Sequence, residues 1–178
     1  MDERKWIERI LAGDTQSFSC LVAKYEKMAY TIALRILENR EEAEEAVQDA
    51  FVKMYRALSD FHFDSKFSTW FYRIVYRTAL TALRQQRMFV SYEEAGPVDL
   101  SNDEVESATA LLEREDRKEM IARTLKKLPA DEALLLTLYY LEECSVEEIC
   151  QITELSASNV KVKLFRGRKR FYEVLQDK

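Results

Sequence analysis

Three features of the sequence predict an all-α protein. The 178 residues include only three Gly and two Pro, too few for the turns of a sheet or for a phosphate-cradling loop. Leu, Ala, Glu, Lys and Arg, which favour helices, are abundant, with 47% of residues hydrophobic and 33% charged. Apolar residues also recur at intervals of three and four along most of the chain. This length can bury one substantial core or two small ones.

The opening MDERKWIERILAG scatters charges among its apolar positions, so it lacks the uninterrupted apolar core of a signal peptide. No apolar run approaches membrane-spanning length, and no membrane insertion is expected. Helical spacing then predicts three long helices, over 18–37, 41–58 and 67–87, that can share a core. Residues 91–116 break the pattern with nine acidic residues against one basic, Arg114, and the only Gly-Pro pair. The first half of that stretch reads as a linker. Four more helices follow, over 111–128, 130–143, 145–152 and 156–175. The expected architecture is two small helical domains, residues 1–90 and 113–178, joined by an acidic linker over 91–112. Cys20, Cys144 and Cys150 are odd in number and far from CxxC spacing, and the single histidine, His62, is remote from them. That pattern argues for reduced thiols in a cytoplasm rather than a zinc site or a disulfide framework.

Within the second domain, SVEEICQITELSASNVKVKLFRGRKRF has the layout of a helix-turn-helix. Ser145 and Glu148 form an S-x-x-E capping box that starts a short helix. Ile149 and Ile152 face inward, TELS makes the turn, and Ser156 can cap a second helix in which Val160 and Leu164 also point inward. That leaves Asn159, Lys161, Val162, Phe165 and Arg166 largely on other faces. The run Lys163, Arg166, Arg168, Lys169, Arg170 is wholly basic in a protein of net charge -5. A basic helix that begins with small polar residues suits a major groove, while an ordinary helical hairpin with a solvated basic face would show the same pattern.

A second basic stretch lies in the third long helix. Lys66, Arg73, Arg77, Arg84 and Arg87 occur there with no acidic residue, interleaved with Phe67, Trp70, Phe71, Tyr72 and Tyr76. Guanidinium groups beside aromatic faces can hold an unpaired strand, although most of these rings are expected in the core. The preceding helix carries a run of carboxylates from Glu38 to Asp49 that reads by itself as a solvated acidic face.

Taken together, DSKFSTWFYRI, AEEAVQDAFVKMYRAL and the helix-turn-helix segment resemble, in order, domain 2 and domain 4 of bacterial sigma factors of the extracytoplasmic-function (ECF, group IV) type, in the sigma-70 family. The resemblance implies a transcription initiation factor that binds core RNA polymerase, recognises −35 and −10 promoter elements and helps to open the duplex. By position in the motifs, Glu45, Gln48 and Asp49 would grip the coiled coil of the polymerase's largest subunit, with a further contact to its flap. His62, Phe63, Asp64 and Ser65 would form or rim the pocket for a flipped −10 base, followed by Lys66, Arg73, Tyr76, Arg77 and Arg84 along the strand. Asn159, Lys161, Val162, Phe165 and Arg166 would face the −35 major groove, with Lys163 and Arg168 steadying phosphates. An anti-sigma factor is the further partner implied, able to hold the protein at the membrane; no cofactor is implied. Arg77 and Thr81 stand where the family often has Asn and Asp, and Val162 where a small polar residue is common; these departures bear on promoter sequence, not on activity class.

Two other readings compete. A stand-alone helix-turn-helix regulator would use its N-terminal domain to sense a ligand or dimerise, and would bind duplex operator without polymerase. An enzyme would need a nucleophile–base constellation, and the carboxylate pairs available, such as Glu41/Glu45, read as helix surface.

Overall fold

The computed structural model describes residues 3–90 and 112–176, and among them it is helical throughout, without strands. The linker expected over 91–112 lies, but for Leu112, outside the described residues.

The chain begins with a helix that periodicity did not pick out, α1 (Glu3–Leu11), whose Ile7 and Ile10 are buried. Gly13, at φ 96°, takes the left-handed turn out of it. Asp14 then caps α2 (Thr15–Leu37), accepting the Gln16 amide at 3.0 Å and the Ser17 hydroxyl at 2.9 Å. Asn39 caps α3 (Arg40–Arg56) in the same way through the Glu42 amide. The first turn of α3 carries Glu41 and Glu42 and its last turn Lys53 and Arg56, each sign placed where the helix dipole favours it. A 3-10 turn (Leu58–Asp60) and the loop over 61–66 lead into α4 (Phe67–Val90).

As the periodicity predicted, α2, α3 and α4 pack on one another. Ala29, Ala33, Ala43 and Ala50 are fully buried and let the helix axes approach closely. Ile32, Met54, Phe71 and Val75 fill the space between, each side chain stabilising the fold by about 1.5 to 3 kcal/mol through burial.

The second half contains α5 (Leu112–Lys126), α6 (Ala130–Leu136), α7 (Val146–Thr153) and α8 (Ala157–Gln176). The single helix expected over 130–143 is not continuous: after Leu136 it widens into a π turn, Thr137–Leu141, closed by the Glu142 amide donating to the Thr137 carbonyl. Thr137 donates its hydroxyl back to Ala133 O at 2.8 Å, a bond that bends helices, at the point where the ladder changes. The turn leaves Tyr139, Tyr140 and Leu141 exposed. The capping box at Ser145 and Glu148 is present, and Ile149, Ile152, Val160 and Leu164 all point inward. Gly167 lets α8 pass tightly over α6: a Cβ there would lie 3.2 Å from Leu136 Cδ1 and 3.3 Å from Glu132 Cβ.

The two halves pack against each other. α7 lies along α4, α6 meets α2, and Arg35 Nη1 donates across the junction to Leu125 O at 3.3 Å.

Candidate nucleic-acid and polymerase interfaces

With Val160, Leu164 and Gly167 buried, α8 turns a mixed face to solvent. Val162 is 46% exposed and Phe165 65% exposed, flanked by exposed Lys161 and Arg166. Asn159 is exposed in the first turn, its amide donating to Ser156 Oγ at 3.3 Å as expected of the cap. Two expected phosphate contacts have partners inside the chain. Lys163 is half-buried and pairs with Asp131; Arg168 donates to Leu164 O at 3.3 Å and to Tyr140 Oη at 3.4 Å. Lys169, of the same basic run, lies about a turn on from Arg166, extends the outward face and pairs weakly with Glu173 at 3.9 Å.

Lys66, immediately before α4, and Arg73, Arg77 and Arg84 on it follow one another at steps of seven, four and seven residues. At 3.6 residues per turn those steps set them in a single ridge. Most of the interleaved rings are core: Phe67, Phe71 and Tyr72 are buried, and Trp70 and Tyr76 are half-buried. Trp70 packs at a tilt against Phe61 and Phe67, 5.0 Å and 5.6 Å between centroids. The exposed ring is Phe63, in the left-handed region at φ 61°, resting on Phe61 at 4.8 Å. The Arg4 guanidinium of α1 lies 4.9 Å over it. His62 and Asp64 are exposed beside it and Ser65 is half-buried, so the four loop residues border one open surface.

The ridge is covered by acidic groups from the second half. Lys66 Nζ is 2.9 Å from Glu148 Oε1, Arg73 is 3.4 Å from Glu154, and Arg77 pairs with the same Glu154 carboxylate. Tyr72 donates to Glu142 Oε2 at 2.8 Å alongside. The hydrogen bond to Glu148 holds the Lys66 ammonium above its ordinary pKa. Partial burial pushes the Glu148 carboxyl up, but Lys66 and the Ser145 amide together outweigh it and hold the group below its ordinary value. Glu154 is held down first by its bond to Arg77 and then by Arg73.

A third surface lies on α3. Ala43, Ala46, Val47, Ala50, Phe51 and Met54 are buried, which leaves Glu45, Gln48 and Asp49 exposed as a stripe. The stripe continues into Val52, 48% exposed, and Tyr55, 47% exposed. A fourth is an apolar groove between α5, the π turn and α8, lined by Ile121, Leu125, Tyr140, Phe171 and Tyr172 among others.

These surfaces fall where two sigma families match: sigma-70 region 2 over residues 21–88 and sigma-70 region 4 over residues 118–171. The chain is 32% identical to the RNA polymerase sigma-H factor of Pseudomonas aeruginosa, over 98% of this chain and 94% of that one. It belongs to the ECF sigma factors of the sigma-70 family. The ECF RNA polymerase sigma-E factor of Escherichia coli is 31% identical over 92% of this chain and 88% of its own. Among solved structures, the sigma factor RpoE of Bartonella quintana, in complex with the anti-sigma factor NepR, shares the fold at TM-score 0.73 and 18% identity, covering 90% of this chain and 98% of that one. CnrH, in complex with the cytosolic domain of CnrY, does so at TM-score 0.64 and 21% identity, covering 98% and 97%.

As a sigma factor the chain is a promoter-specific initiation factor for RNA polymerase. The region 2 match contains α3 and the α4 ridge of this sigma factor; the region 4 match contains its helix-turn-helix. Among the described residues no helix is long and apolar enough to cross a membrane. The sequence reading missed Val52 and Tyr55, which stand seven residues on from Glu45 and Gln48 and so repeat the stripe two turns later. It also missed Arg4, Glu148 as a bridge and Glu154, none of which has a local signature.

Proposed function

We propose that the α8 face reads the −35 element as duplex while the α4 ridge and its preceding loop take the −10 non-template strand. The observation that carries this reading is the outward face of α8: Val162 and Phe165 stand exposed between Lys161 and Arg166 on the second helix of a helix-turn-helix. Arg166 can donate to base acceptors, Val162 and Phe165 can pack against thymine methyls, and Asn159 and Lys161 lie at the helix's leading end. Arg168, and Lys163 once it exchanges Asp131 for a phosphate, flank the groove. Along the α4 ridge, Lys66, Arg73, Arg77 and Arg84 would follow the strand backbone past Tyr76, while His62, Phe63, Asp64 and Ser65 take an extruded base. Glu45, Gln48 and Asp49 would meet basic residues of the coiled coil in the polymerase's largest subunit, and the apolar groove of the second half offers the flap a seat. The working units are residues 1–90 and 113–178, with 91–112 as the acidic tether. The site of action is the cytoplasm, and an anti-sigma factor is the inhibitory partner, a reading supported by the structural relative RpoE, which is bound to the anti-sigma factor NepR.

The test is transcription from a randomised promoter library by bacterial core polymerase with and without the protein, followed by sequencing of transcript starts. A shared pair of upstream elements, present only when both components are added, is the expected result. Sequence-specific duplex binding by the protein alone, with no effect on core, would establish the stand-alone regulator. The −10 half is read separately: the holoenzyme should prefer a pre-melted bubble to closed duplex, and R73A/R77A should lose that preference while keeping −35 binding.

A further inference from the structure

Phe63 is an exposed ring held by two separate parts of the chain. Its backbone takes φ 61°, a conformation rare for a bulky side chain that persists only where the surroundings fix it. The ring rests on a chain of packed aromatics: it lies 4.8 Å from Phe61, which is buried and in turn 5.0 Å from Trp70 and 5.4 Å from Phe67. The second hold comes from α1, which precedes the sigma-70 region 2 match over 21–88. Ile7 and Ile10 bury one side of that helix, and Glu3 accepts the Tyr25 hydroxyl and pairs with Lys24, so its register is fixed against α2. Arg4 is thereby turned to the loop, its Cζ 4.9 Å over the Phe63 ring, with Glu8 at 3.2 Å steadying the guanidinium. The Arg4 side chain is 63% exposed, and a cation over a ring on open surface contributes little to the fold.

We propose that Arg4 and Phe63 form a clamp for one unpaired base of the −10 non-template strand, the ring supporting one face of the base and the guanidinium covering the other. This makes α1 a nucleic-acid-contacting element of the sigma factor. The inference rests on the reading of His62, Phe63, Asp64 and Ser65 as the seat of an extruded base. Such a base has two open π faces, and both partners suit them: an aromatic ring stacks on any base, and a planar guanidinium does the same while adding a positive charge beside the strand. The exposed Arg4 side chain can lift to admit the base without disturbing the core, whereas Phe63 is braced by Phe61 and stays in place. The buried Ile7 and Ile10 keep α1 itself fixed, so the clamp opens and closes by rotation of one side chain. Stacking is tolerant of base identity, so the clamp supplies grip rather than selectivity.

The experiment uses holoenzyme reconstituted with bacterial core polymerase. It measures affinity for pre-melted bubbles carrying the −10 element of a promoter recovered from the library, intact or with one non-template −10 position made abasic. Arg4→Ala should weaken binding to the intact bubble roughly fivefold, the scale of one cation–π contact, and should cost nothing on the bubble that lacks the clamped base. Phe63→Ala should show its loss at the same position, and R4A/F63A should lose no more than F63A, since neither half of the clamp holds a base alone. R9A, which removes the same charge elsewhere on α1, should stay within about twofold of wild type on every bubble. All variants should keep the melting temperature and the −35 binding of wild type, because Arg4, Arg9 and Phe63 are exposed. An R4A affinity within about twofold of wild type on the intact bubble would overturn the proposal. So would an R4A loss of equal size on every abasic bubble, or an R4A/F63A loss equal to the product of the two single losses. The base-pocket reading is judged apart, by F63A. If F63A loses affinity at one position while R4A does not, the loop remains the seat of the base and only the part of α1 falls; if F63A is silent at every position, both fall.

Discussion

Lys66 and Glu148 join the two halves of the molecule at 2.9 Å, and the same Glu148 carboxylate caps the first helix of the helix-turn-helix. One side chain thus ties the local start of α7 to the long-range position of α4.

The packing of the two halves should loosen in acid. Glu148 and Glu154 are both held below the ordinary value of 4.5 by cations across the junction, Glu148 by Lys66 and Glu154 by Arg77 and Arg73. A depressed carboxylate contributes its stabilisation fully above its ordinary value and loses it as pH falls through the lowered one, while Lys66 stays charged throughout. Scattering from wild type should show expansion below about pH 4.5, and E148Q/E154Q should show none beyond what it has at neutrality. An expansion of equal size in both proteins would locate the acid response elsewhere.

Arg166→Ala in the holoenzyme should weaken binding to a matched −35 element by about 1 to 3 kcal/mol and relax selectivity at one base pair. Lys161→Ala tests whether the helix's leading end holds phosphate or base. Gel-shift titrations on matched and scrambled elements decide it, since equal losses on both would assign Arg166 to the backbone.

Charge reversal of Glu45 together with Asp49 should abolish association with core polymerase while leaving helicity and melting temperature unchanged, because both side chains are exposed on α3. Val52→Ala and Tyr55→Ala should each weaken it less. Core affinity within about twofold of wild type after the double reversal would remove the coiled-coil assignment.

Gly167→Val should destabilise the second half by about 1 to 3 kcal/mol through overpacking, because a Cβ there already lies 3.2 Å from Leu136 and 3.3 Å from Glu132. Thermal unfolding followed by circular dichroism measures it; an unchanged midpoint would mean that α6 and α8 can separate at no cost.

Much of this structure could be read locally. The apolar period placed α2 and α4 to within a few residues, and the S-x-x-E pattern placed the start of α7 on Ser145, because caps and helical faces are properties of short segments. α1 escaped although Trp6, Ile7, Ile10 and Leu11 recur at helical spacing, because nine residues make only about two and a half turns, a short window for a periodic pattern. The π turn escaped because 130–143 is apolar enough to read as one helix, and only the Thr137 ladder shows the extra width. The α8 residues proposed to read the −35 element came from the motif, and burial of Val160 and Leu164 leaves Lys161, Val162, Phe165 and Arg166 exposed. The pairing of Arg73 and Arg77 with Glu154 had no signature at all, since it links positions 81 and 77 residues apart.

The ring packing around Trp70 has an optical consequence. The chain has two tryptophans, Trp6 and Trp70, both in its first half. Trp70 leans on Phe61 and Phe67 and lies along α4 between Lys66 and Arg73, where the carboxylates of the second half arrive. Indole emission is sensitive to nearby charge and water, so selective excitation of this residue offers an intrinsic, label-free signal for movement at the ridge. A Trp6→Phe variant would isolate that signal, and stopped-flow mixing with core polymerase would time the event.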